Sequence, residues 1–397
     1  MARKGLSAWR FIVAFGVVSL LMDFVYEGAR SITGPLLAAL GASGAVVGIV
    51  TGVGEAAAFG LRLVSGPLAD RTQRFWTWTI LGYVVTAVAV PFLGLAGALW
   101  VASALVIAER VGKAVRSPAK DTLVSHATAV TGRGKGFAVH EAMDQVGAVV
   151  GPLTVAGILA VTGDNYAPAL GVLAIPGAAA IALLLWLRAR VPDPARYEPP
   201  AGDAAVPDEF GRLPRAFWVY AAFTAATMSG FATFGVLSFH LVRENLLPVA
   251  AVPVVYAAAM GVDALAALAT GWLYDRTGAK TLAVLPLLAA ATPLLAFART
   301  AWIAVAGALL WGAAVGVQES TLRATVADLV PVGRRATAYG VFAGIMGAAT
   351  LVGGALTGVL YDVSVPVLVT TVIAIQAVAL ALLVITRVRS GSSRSVA

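Results

Sequence analysis

Acidic and basic residues lie inside long apolar stretches of this sequence, where a charge is costly to bury. In the first stretch, Asp23, Glu27 and Arg30 follow the spacing i, i+4, i+7, which places them on one face of a helix. Desolvation disfavours the anionic form of such a carboxylate, and a nearby arginine restores it. This pattern is suited to binding and releasing a proton or a charged solute.

Later apolar stretches carry five more candidates for proton coupling or solute binding: Glu55, Arg62, Arg110, Asp144 and Asp263. Glu55 and Arg62 are seven residues apart and share a predicted helix face. Asp144 is either a gate or a buried partner of Arg110, and Asp263 is either a helix-packing contact or a site residue. A charge facing lipid at the bilayer centre costs about 2.5–3.5 kcal/mol or more, so these faces must turn inward.

The composition requires a membrane to hold these helices. Of the 397 residues, 59% are apolar and 12% are charged, whereas a soluble domain has about 25% charged residues. An apolar stretch of about 20 residues crosses the bilayer as a helix. Twelve spans are predicted, at 11–38, 45–67, 76–95, 98–116, 136–161, 167–187, 215–241, 250–273, 281–298, 302–324, 337–361 and 365–386.

The basic residues give these spans an orientation. They accumulate in alternate loops, and the opposite loops offer only Arg243 and Arg299. The positive-inside rule therefore predicts a multi-pass protein of the cell membrane with both termini in the cytoplasm. It also explains the net charge of +8 without a nucleic-acid partner. Residues 191–213 contain five prolines and are predicted to be a cytoplasmic linker between two six-helix bundles, 1–190 and 214–397.

The two halves repeat a short sequence. Gly66-Pro67-Leu68-Ala69-Asp70-Arg71-Thr72 follows span two, and Gly271-Trp272-Leu273-Tyr274-Asp275-Arg276-Thr277 follows span eight, 205 residues later. Such a repeat is typical of secondary transporters that work by alternating access.

The first copy, continued to Gln73-Arg74, closely resembles the loop signature G-x-L-x-D-R-x-G-R of the major facilitator superfamily. It departs at Gln73, where the family usually has glycine, and the second copy keeps that glycine as Gly278. Gly147, Gly151 and Pro152 resemble the span-five motif G-x-x-x-G-P of drug/proton antiporters. The resemblance implies an all-α membrane protein with twelve transmembrane helices in two pseudo-symmetric six-helix bundles, acting as a monomer.

The resemblance also implies roles for the loop signature. Gly66 permits close helix approach, and the Asp70 carboxylate is expected at the N-terminus of span eleven, where the helix dipole favours an anion. Arg71 and Arg74 either hold carboxylates such as Asp121 or are ordinary positive-inside anchors. In the second copy, Asp275 and Arg276 take the corresponding places. Gly147 and Gly151 allow close packing, and Pro152 bends its helix.

The leading hypothesis is a proton-coupled secondary active transporter that exports a small organic solute. Spans one to five contain six acids (Asp23, Glu27, Glu55, Glu109, Glu141, Asp144) and four bases (Arg30, Arg62, Arg110, Lys113), which favours protons and a cationic or amphiphilic solute. The alternatives are uptake of an anionic solute bound by membrane arginines, and flipping of a lipid or other amphiphile.

Other functional classes lack their motifs. The sequence has no cysteine and three separated histidines, so neither a metal site nor a cofactor is expected. It contains no G-x-x-x-x-G-K-[ST] loop for ATP and no hydrolase motif of the kind G-x-S-x-G, which argues against a pump or an enzyme.

Overall fold

The computed structural model describes residues 6–131, 133–197, 213–331 and 334–392, and every regular element assigned in these ranges is a helix. The α-helices are α1 (Ala8–Ala39), α2 (Gly44–Gly60), α3 (Arg62–Thr72), α4 (Phe75–Leu93), α5 (Leu99–Thr131), α6 (Arg133–Thr162), α7 (Tyr166–Gly171), α8 (Ala174–Arg190), α9 (Arg215–Ser229), α10 (Phe234–Arg243), α11 (Val252–Thr277), α12 (Val284–Ala296), α13 (Ala301–Leu329), α14 (Arg335–Val363) and α15 (Val365–Ser392). Short 3₁₀ turns lie at Pro194–Tyr197, Val249–Ala251 and Gly278–Ala283.

Ten helical stretches in the described residues are long and apolar enough to cross a membrane. One of them, Val249–Ala296, contains both α11 and α12. The helix α5 is not among the ten, since it carries many charged residues, including Glu109, Arg110 and Lys113. Dividing the long stretch and adding α5 would give the predicted twelve spans, and that count stays a prediction.

The residues of the loop signature are helical and do not form the predicted loop. They lie in α3, which runs to Thr72, and the connection shrinks to Gln73 and Arg74. Pro67 lies near the start of α3, where it removes a single intrahelical hydrogen bond and does not end the helix. The helix ends at Gln73, whose φ of 52° is left-handed.

The predicted span seven is also interrupted, because residues 230–233 separate α9 from α10. Side chains satisfy the backbone groups that this break exposes. The indole of Trp311 donates to the carbonyl of Ala232 at 2.9 Å, and the amide of Gln376 donates to the carbonyl of Thr227 at 2.9 Å. Non-helical backbone at membrane depth is tolerated where protein groups pair with it in this way.

The chain divides into two compact units. Unit 1 comprises the described parts of Met1–Leu36, Leu61–Ala205 and Val249–Ala257. Its core is built where α1, α4, α5 and α8 meet, from Phe11, Ile12, Phe15, Val18, Met22, Trp76, Tyr83, Leu123, Val124, Leu184 and Leu187. Aromatic rings dominate the end near Phe11, which packs edge-on against Trp76 at a ring distance of 6.2 Å.

Unit 2 comprises the described parts of Leu37–Gly60, Val206–Pro248 and Ala258–Ala397. Its closest helix pair is α2 and α14, which meet through glycines. A Cβ atom on Gly48 would lie 2.2 Å from the carbonyl oxygen of Gly354, and one on Gly358 would lie 2.4 Å from that of Gly44. The two backbones are therefore in direct contact, a packing that only glycine permits here.

Candidate functional site

Glu27 is the centre of a buried polar cluster in unit 1. Its side chain lies on α1 and the residue is 4% exposed. One carboxylate oxygen pairs with Nη1 of Arg30 at 3.6 Å, and the other accepts a hydrogen bond from the hydroxyl of Tyr256. A buried carboxylate needs such partners, because desolvation otherwise outweighs the attraction of a single cation. Tyr256 belongs to α11, in the second half of the sequence, and lies in the same unit as Glu27.

Tyr26, next to Glu27, is surrounded by the basic residues of α5. The ammonium of Lys113 donates to its hydroxyl at 2.8 Å and lies 4.2 Å from the ring centroid. The guanidinium carbons of Arg110 and Arg116 are 5.6 and 5.9 Å from the same centroid. Cations are attracted to the face of an aromatic ring, more strongly where water is excluded. Tyr26 therefore fixes the basic stripe of α5 against α1.

Arg110 also pairs with its neighbour Glu109, at 3.2 Å between Nε and Oε2. Both residues are buried. The second oxygen of Glu109 has no hydrogen-bond partner among the described residues. This carboxylate is thus incompletely satisfied within unit 1.

A second polar cluster contains Ser19, which lies about two helical turns before Glu27 on α1. Ser19 bonds to Nε2 of His140 at 2.9 Å, and Nδ1 of His140 lies 3.3 Å from the carboxylate of Asp144. The same Asp144 oxygen is 4.0 Å from Nζ of Lys120. The hydroxyl of Tyr83 lies 3.4 Å from Ser19. The cluster joins α1, α4, α5 and α6.

Asp23 lies between the two clusters, one helical turn from Ser19 and one from Glu27. It is partly buried, and among the described residues it makes no ion pair or hydrogen bond through its side chain. The acidic stripe of α1 therefore contains two different carboxylates. Glu27 is bonded to Arg30 and Tyr256, whereas Asp23 has no bonded partner among the described residues.

The structure changes the charge balance that the sequence suggested. Arg116 is buried and donates to the hydroxyl of Thr86 at 3.1 Å, and Lys120 belongs to the Asp144 cluster. With these two, the described polar core of unit 1 contains five bases and four acids. The other bases are Arg30, Arg110 and Lys113, and the acids are Asp23, Glu27, Glu109 and Asp144. The sequence count of six acids and four bases did not include Arg116 or Lys120, so it does not describe this buried cluster.

The predicted packing glycines lie against α1. A Cβ on Gly147 would be 2.3 Å from the carbonyl oxygen of Leu20, and one on Gly151 would be 2.2 Å from that of Phe24. Pro152 follows directly inside α6. This contact positions α6, with His140 and Asp144, beside the acidic stripe of α1.

In unit 2, the break between α9 and α10 forms a second candidate site. Phe231 and Phe234 lie 6.4 and 5.3 Å from the ring of Trp311. The amide oxygen of Gln376 is buried and has no hydrogen-bond partner among the described residues. The aromatic rings and this acceptor are buried beside the unwound backbone. The only sequence signal for this break was Gly230, followed shortly by Thr233.

The other predicted membrane residues are distributed over both units. Asp263 is 3% exposed on α11, where α13 approaches so closely that a Cβ on Gly316 would lie 2.2 Å from the Asp263 carbonyl oxygen. Glu55 is partly buried on α2 in unit 2, and Arg62 is the first residue of α3 in unit 1. Their functional roles stay predictions.

The signature residues of α3 are mostly exposed. Asp70, Arg71 and Arg74 are exposed, and Asp121 lies 3.9 Å from its neighbour Lys120. In the second copy, the guanidinium of Arg276 stacks on Trp272 at 3.6 Å, while Asp275 is exposed. Gly66 approaches Pro118 of α5, at 3.8 Å from an added Cβ. A gating role for these residues stays a prediction.

One carboxylate that sequence reasoning missed caps a helix in unit 2. The two oxygens of Asp362, at the end of α14, accept from the backbone amides of Gly44 and Ala45 at 2.9 and 2.8 Å. These amides begin α2, where the helix dipole favours an anion. Beside it, Tyr361 bonds to His240 at 2.9 Å. Gly44 and Asp362 are 318 residues apart, so no local pattern could have paired them.

An all-helical membrane protein with an interrupted helix and polar clusters buried among its spans has the architecture of a secondary transporter. The chain belongs to the Major Facilitator Superfamily, whose family model matches residues 15–285 and 237–397. The resemblance drawn from the loop signature is thereby confirmed, as is the helical membrane fold of this superfamily. Subfamily membership is not defined by this match.

Relatives and solved structures agree with this assignment. The chain is 67% identical over 384 residues to an uncharacterized protein of Mycobacterium bovis, covering 96% of this chain and 94% of that protein. A bacterial homolog of the human lysosomal transporter Spinster, solved inward-facing and unoccupied, has a TM-score of 0.70 at 17% identity, covering 96% and 95% of the two chains. A POT family transporter in complex with a thioalcohol-conjugated peptide reaches 0.75 at 14% identity, with 96% of each chain covered. At these identities the structures show a shared fold.

Proposed function

We propose that this protein is a proton-coupled secondary transporter. In this proposal Glu27 binds the proton, and its protonation releases its bonds to Tyr256 and Arg30. The supporting observation is the buried Glu27 carboxylate, held by one cation and one hydroxyl. Protonation removes the negative charge that Arg30 compensates, so it weakens the ion pair. Because Tyr256 is on α11 and Glu27 on α1, loss of their bond frees two helices that are distant in sequence.

Asp23 gives the proton a second carboxylate on the same helix face. It lies one turn from Glu27 and one turn from Ser19, which leads to His140 and Asp144. We assign the proton to this acidic stripe of α1 and the solute to the neighbouring polar and aromatic groups. A proton and a cationic solute then compete for the negative charge of these carboxylates, which couples the movement of one to that of the other.

The proposed direction is export of a small organic solute, cationic or amphiphilic. Export is supported by the likeness of Gly147, Gly151 and Pro152 to the span-five motif of drug/proton antiporters. The carboxylates of unit 1 offer a cationic solute a charge of opposite sign. We place the protein in the cell membrane as a monomer, with both termini in the cytoplasm.

One observation favours a second candidate function, the uptake of an anionic solute. Arg110, Lys113 and Arg116 gather around Tyr26, and Arg30 lies beside Glu27. Protonation of Glu27 would release Arg30 to bind an anion. The two functions therefore share the proton site and differ in the charge of the solute.

The test uses the purified protein in liposomes with an imposed pH gradient. Ethidium serves as the cationic probe and benzoate as the anionic one, and both probe movement and proton movement are recorded. We expect gradient-driven ethidium accumulation in wild type and at least a tenfold loss in Glu27→Gln, because the uncharged amide cannot cycle a proton. Asp23→Asn and Glu55→Gln are measured beside it.

Probe exchange without a gradient separates coupling from binding. Glu27→Gln should keep this exchange while losing accumulation, whereas Tyr256→Phe, which keeps the carboxylate, should retain part of the accumulation. Full accumulation in Asp23→Asn, Glu27→Gln and Glu55→Gln alike would refute proton coupling through these carboxylates. Gradient-driven movement of benzoate in place of ethidium would select the second candidate.

A further inference from the structure

A cavity of about 630 Å³ opens at one end of unit 1, where the start of α4, the last third of α5 and the end of α8 come together. None of its lining residues belongs to the Glu27 or the Asp144 cluster, and the proposed transport function does not use it. Its lining includes Arg74, Phe75, Trp76, His126, Leu185 and Arg188. The carbonyl of Pro192, also in the lining, accepts from the indole of Trp76 at 3.1 Å, which fixes one wall.

The charged groups of this cavity are suited to an anion. The side chains of Arg74 and Arg188 are exposed, and neither forms an ion pair within the described residues. Arg74 is also the N-cap of α4, and the first amides of a helix have no acceptor in the helix itself. Two guanidinium groups and a helix N-terminus thus face one space, a combination that favours a phosphate.

One carboxylate also lines the cavity, and it is already engaged. Asp193 accepts a hydrogen bond from the backbone amide of Ala195 at 3.0 Å. Its single charge offsets only one of the two arginines. The two arginines and this one carboxylate therefore leave the cavity with a positive balance.

The surroundings indicate a lipid as the source of the anion. Leu185 and Trp186 on α8 are 48% and 42% exposed, within one turn of Arg188. On α4, Leu81 and Val88 are half-exposed apolar side chains that begin two turns after Arg74. Exposed apolar residues that give way to basic ones mark the edge of the bilayer. A phosphate bound here would lie at headgroup depth, beside acyl chains.

We propose that this cavity binds the headgroup of an anionic phospholipid, with Arg74 and Arg188 on the phosphate and Phe75 and Leu185 beside the glycerol and the first acyl carbons. Basic pockets between transmembrane helices are known to hold anionic headgroups. The site would anchor the end of α8 to the start of α4 in a lipid-dependent way.

The test adds lipid to the purified full-length protein in a neutral detergent. Dioleoyl phosphatidylglycerol should raise the thermal unfolding midpoint and appear as bound lipid in native mass spectra, and dioleoyl phosphatidylcholine should do neither. Arg74→Gln and Arg188→Gln should each weaken phosphatidylglycerol binding about tenfold, as expected for a lost charge-assisted hydrogen bond. Counting bound lipid in the mass spectra of each single variant keeps the test valid if the double variant folds poorly.

Arg190→Gln is the matched control. Arg190 lies at the same helix end and stacks on Trp186 at 5.5 Å, outside the cavity, so its removal should leave phosphatidylglycerol binding unchanged. An equal loss in this control would show a general effect of surface charge and would overturn the proposal. So would phosphatidylglycerol binding that persists in the double variant. Sodium phosphate that reproduces the stabilisation by itself would assign the cavity to a free anion and not to a lipid.

Discussion

At the scale of single residues, the acids of unit 1 differ in what holds them. Glu27 has a cation and a hydroxyl, Asp144 has a histidine and a lysine, and Asp23 has no bonded partner among the described residues. Buried charges persist only where such partners compensate their desolvation. The three carboxylates are therefore unequal, and Asp23 is the one that most depends on water reaching it.

The sequence predicted part of this arrangement. Helical spacing was enough to place Asp23, Glu27 and Arg30 on one face, and the structure pairs Arg30 with Glu27. Spacing was not enough to identify Tyr256, because it comes from a helix 229 residues away. Lys120 was missed for a related reason. It lies beyond the predicted span 98–116, and it meets Asp144 only because α5 continues to Thr131 and α6 packs beside it.

Gln73 supports a prediction about stability. It ends α3 with φ of 52°, and Gly278 in the second copy has φ of 59°. The left-handed conformation costs a non-glycine residue about 1–2 kcal/mol. Glycine avoids this cost, but it loses more conformational entropy on folding. We expect Gln73→Gly to stabilise the protein by about 0.5 kcal/mol, measured as a small rise in the thermal unfolding midpoint in detergent.

The opposite change at the second copy is the control. Gly278→Gln introduces the left-handed penalty where no Cβ clash occurs, so it should lower the midpoint by a similar or larger amount. The exposed hydrogen bond from Gln73 to the carbonyl of Asp70, 2.6 Å, is lost in Gln73→Gly and limits its gain. A lower midpoint in Gln73→Gly would show that this bond matters more than the backbone conformation.

At the scale of helices, the pairing of α2 and α14 rests on backbone contact and one capping carboxylate. The glycines of both helices allow the contact, and Asp362 neutralises the start of α2. The hydroxyls of Thr51 and Thr233 add a 2.8 Å bond from α2 to the start of α10. Helical spacing within α2 could not identify α14 as its partner, because the two helices are far apart in the sequence.

Asp362→Ala tests this cap. Loss of a capping side chain costs about 0.5–2 kcal/mol, and here it also releases the two amides of Gly44 and Ala45 at the start of α2. We expect a lower unfolding midpoint and faster maleimide labelling of a cysteine introduced at Ser43, just before α2. Asp362→Asn keeps one oxygen acceptor and should fall between Asp362→Ala and wild type.

Glu244→Ala provides the comparison for this cap. Glu244 is an exposed acid after α10 and does not cap α2, so its loss should change neither the midpoint nor the labelling at Ser43. Labelling at Ser43 that is equally slow in Asp362→Ala and wild type would show that the glycine contact alone holds α2.

At the scale of the whole molecule, the sequence repeat and the compact units divide the chain differently. The repeat predicts bundles at 1–190 and 214–397, whereas Leu37–Gly60 belongs to unit 2 and Val249–Ala257 to unit 1. These two segments carry the tertiary bonds that sequence reasoning missed, Gly44 with Asp362 and Tyr256 with Glu27. The repeat is a property of the sequence, whereas the two units are defined by the contacts that the folded helices make.

The predicted orientation can be tested with single cysteines, because the chain contains none. Gly97, Asp164, Asn245 and Thr300 lie in connections predicted outside, and Gln73, Asp193 and Lys280 in connections predicted inside. A membrane-impermeant maleimide should label the first group in intact cells and the second only after permeabilisation. The reason is that the twelve predicted spans separate any two connections of the same group by an even number of membrane crossings. They separate connections of different groups by an odd number.

The same labels test the span count at its two weakest points. If the charged α5 did not cross, Gly97 and Asp164 would lie on opposite sides, because α6 alone would separate them. If the stretch Val249–Ala296 crossed once, Asn245 and Thr300 would lie on opposite sides. Labelling of all four from outside, with Lys280 protected, therefore requires α5, α11 and α12 each to cross. Twelve spans follow from that pattern, and the charged face of α5 must then turn away from lipid towards α1, where Tyr26 and Glu27 lie.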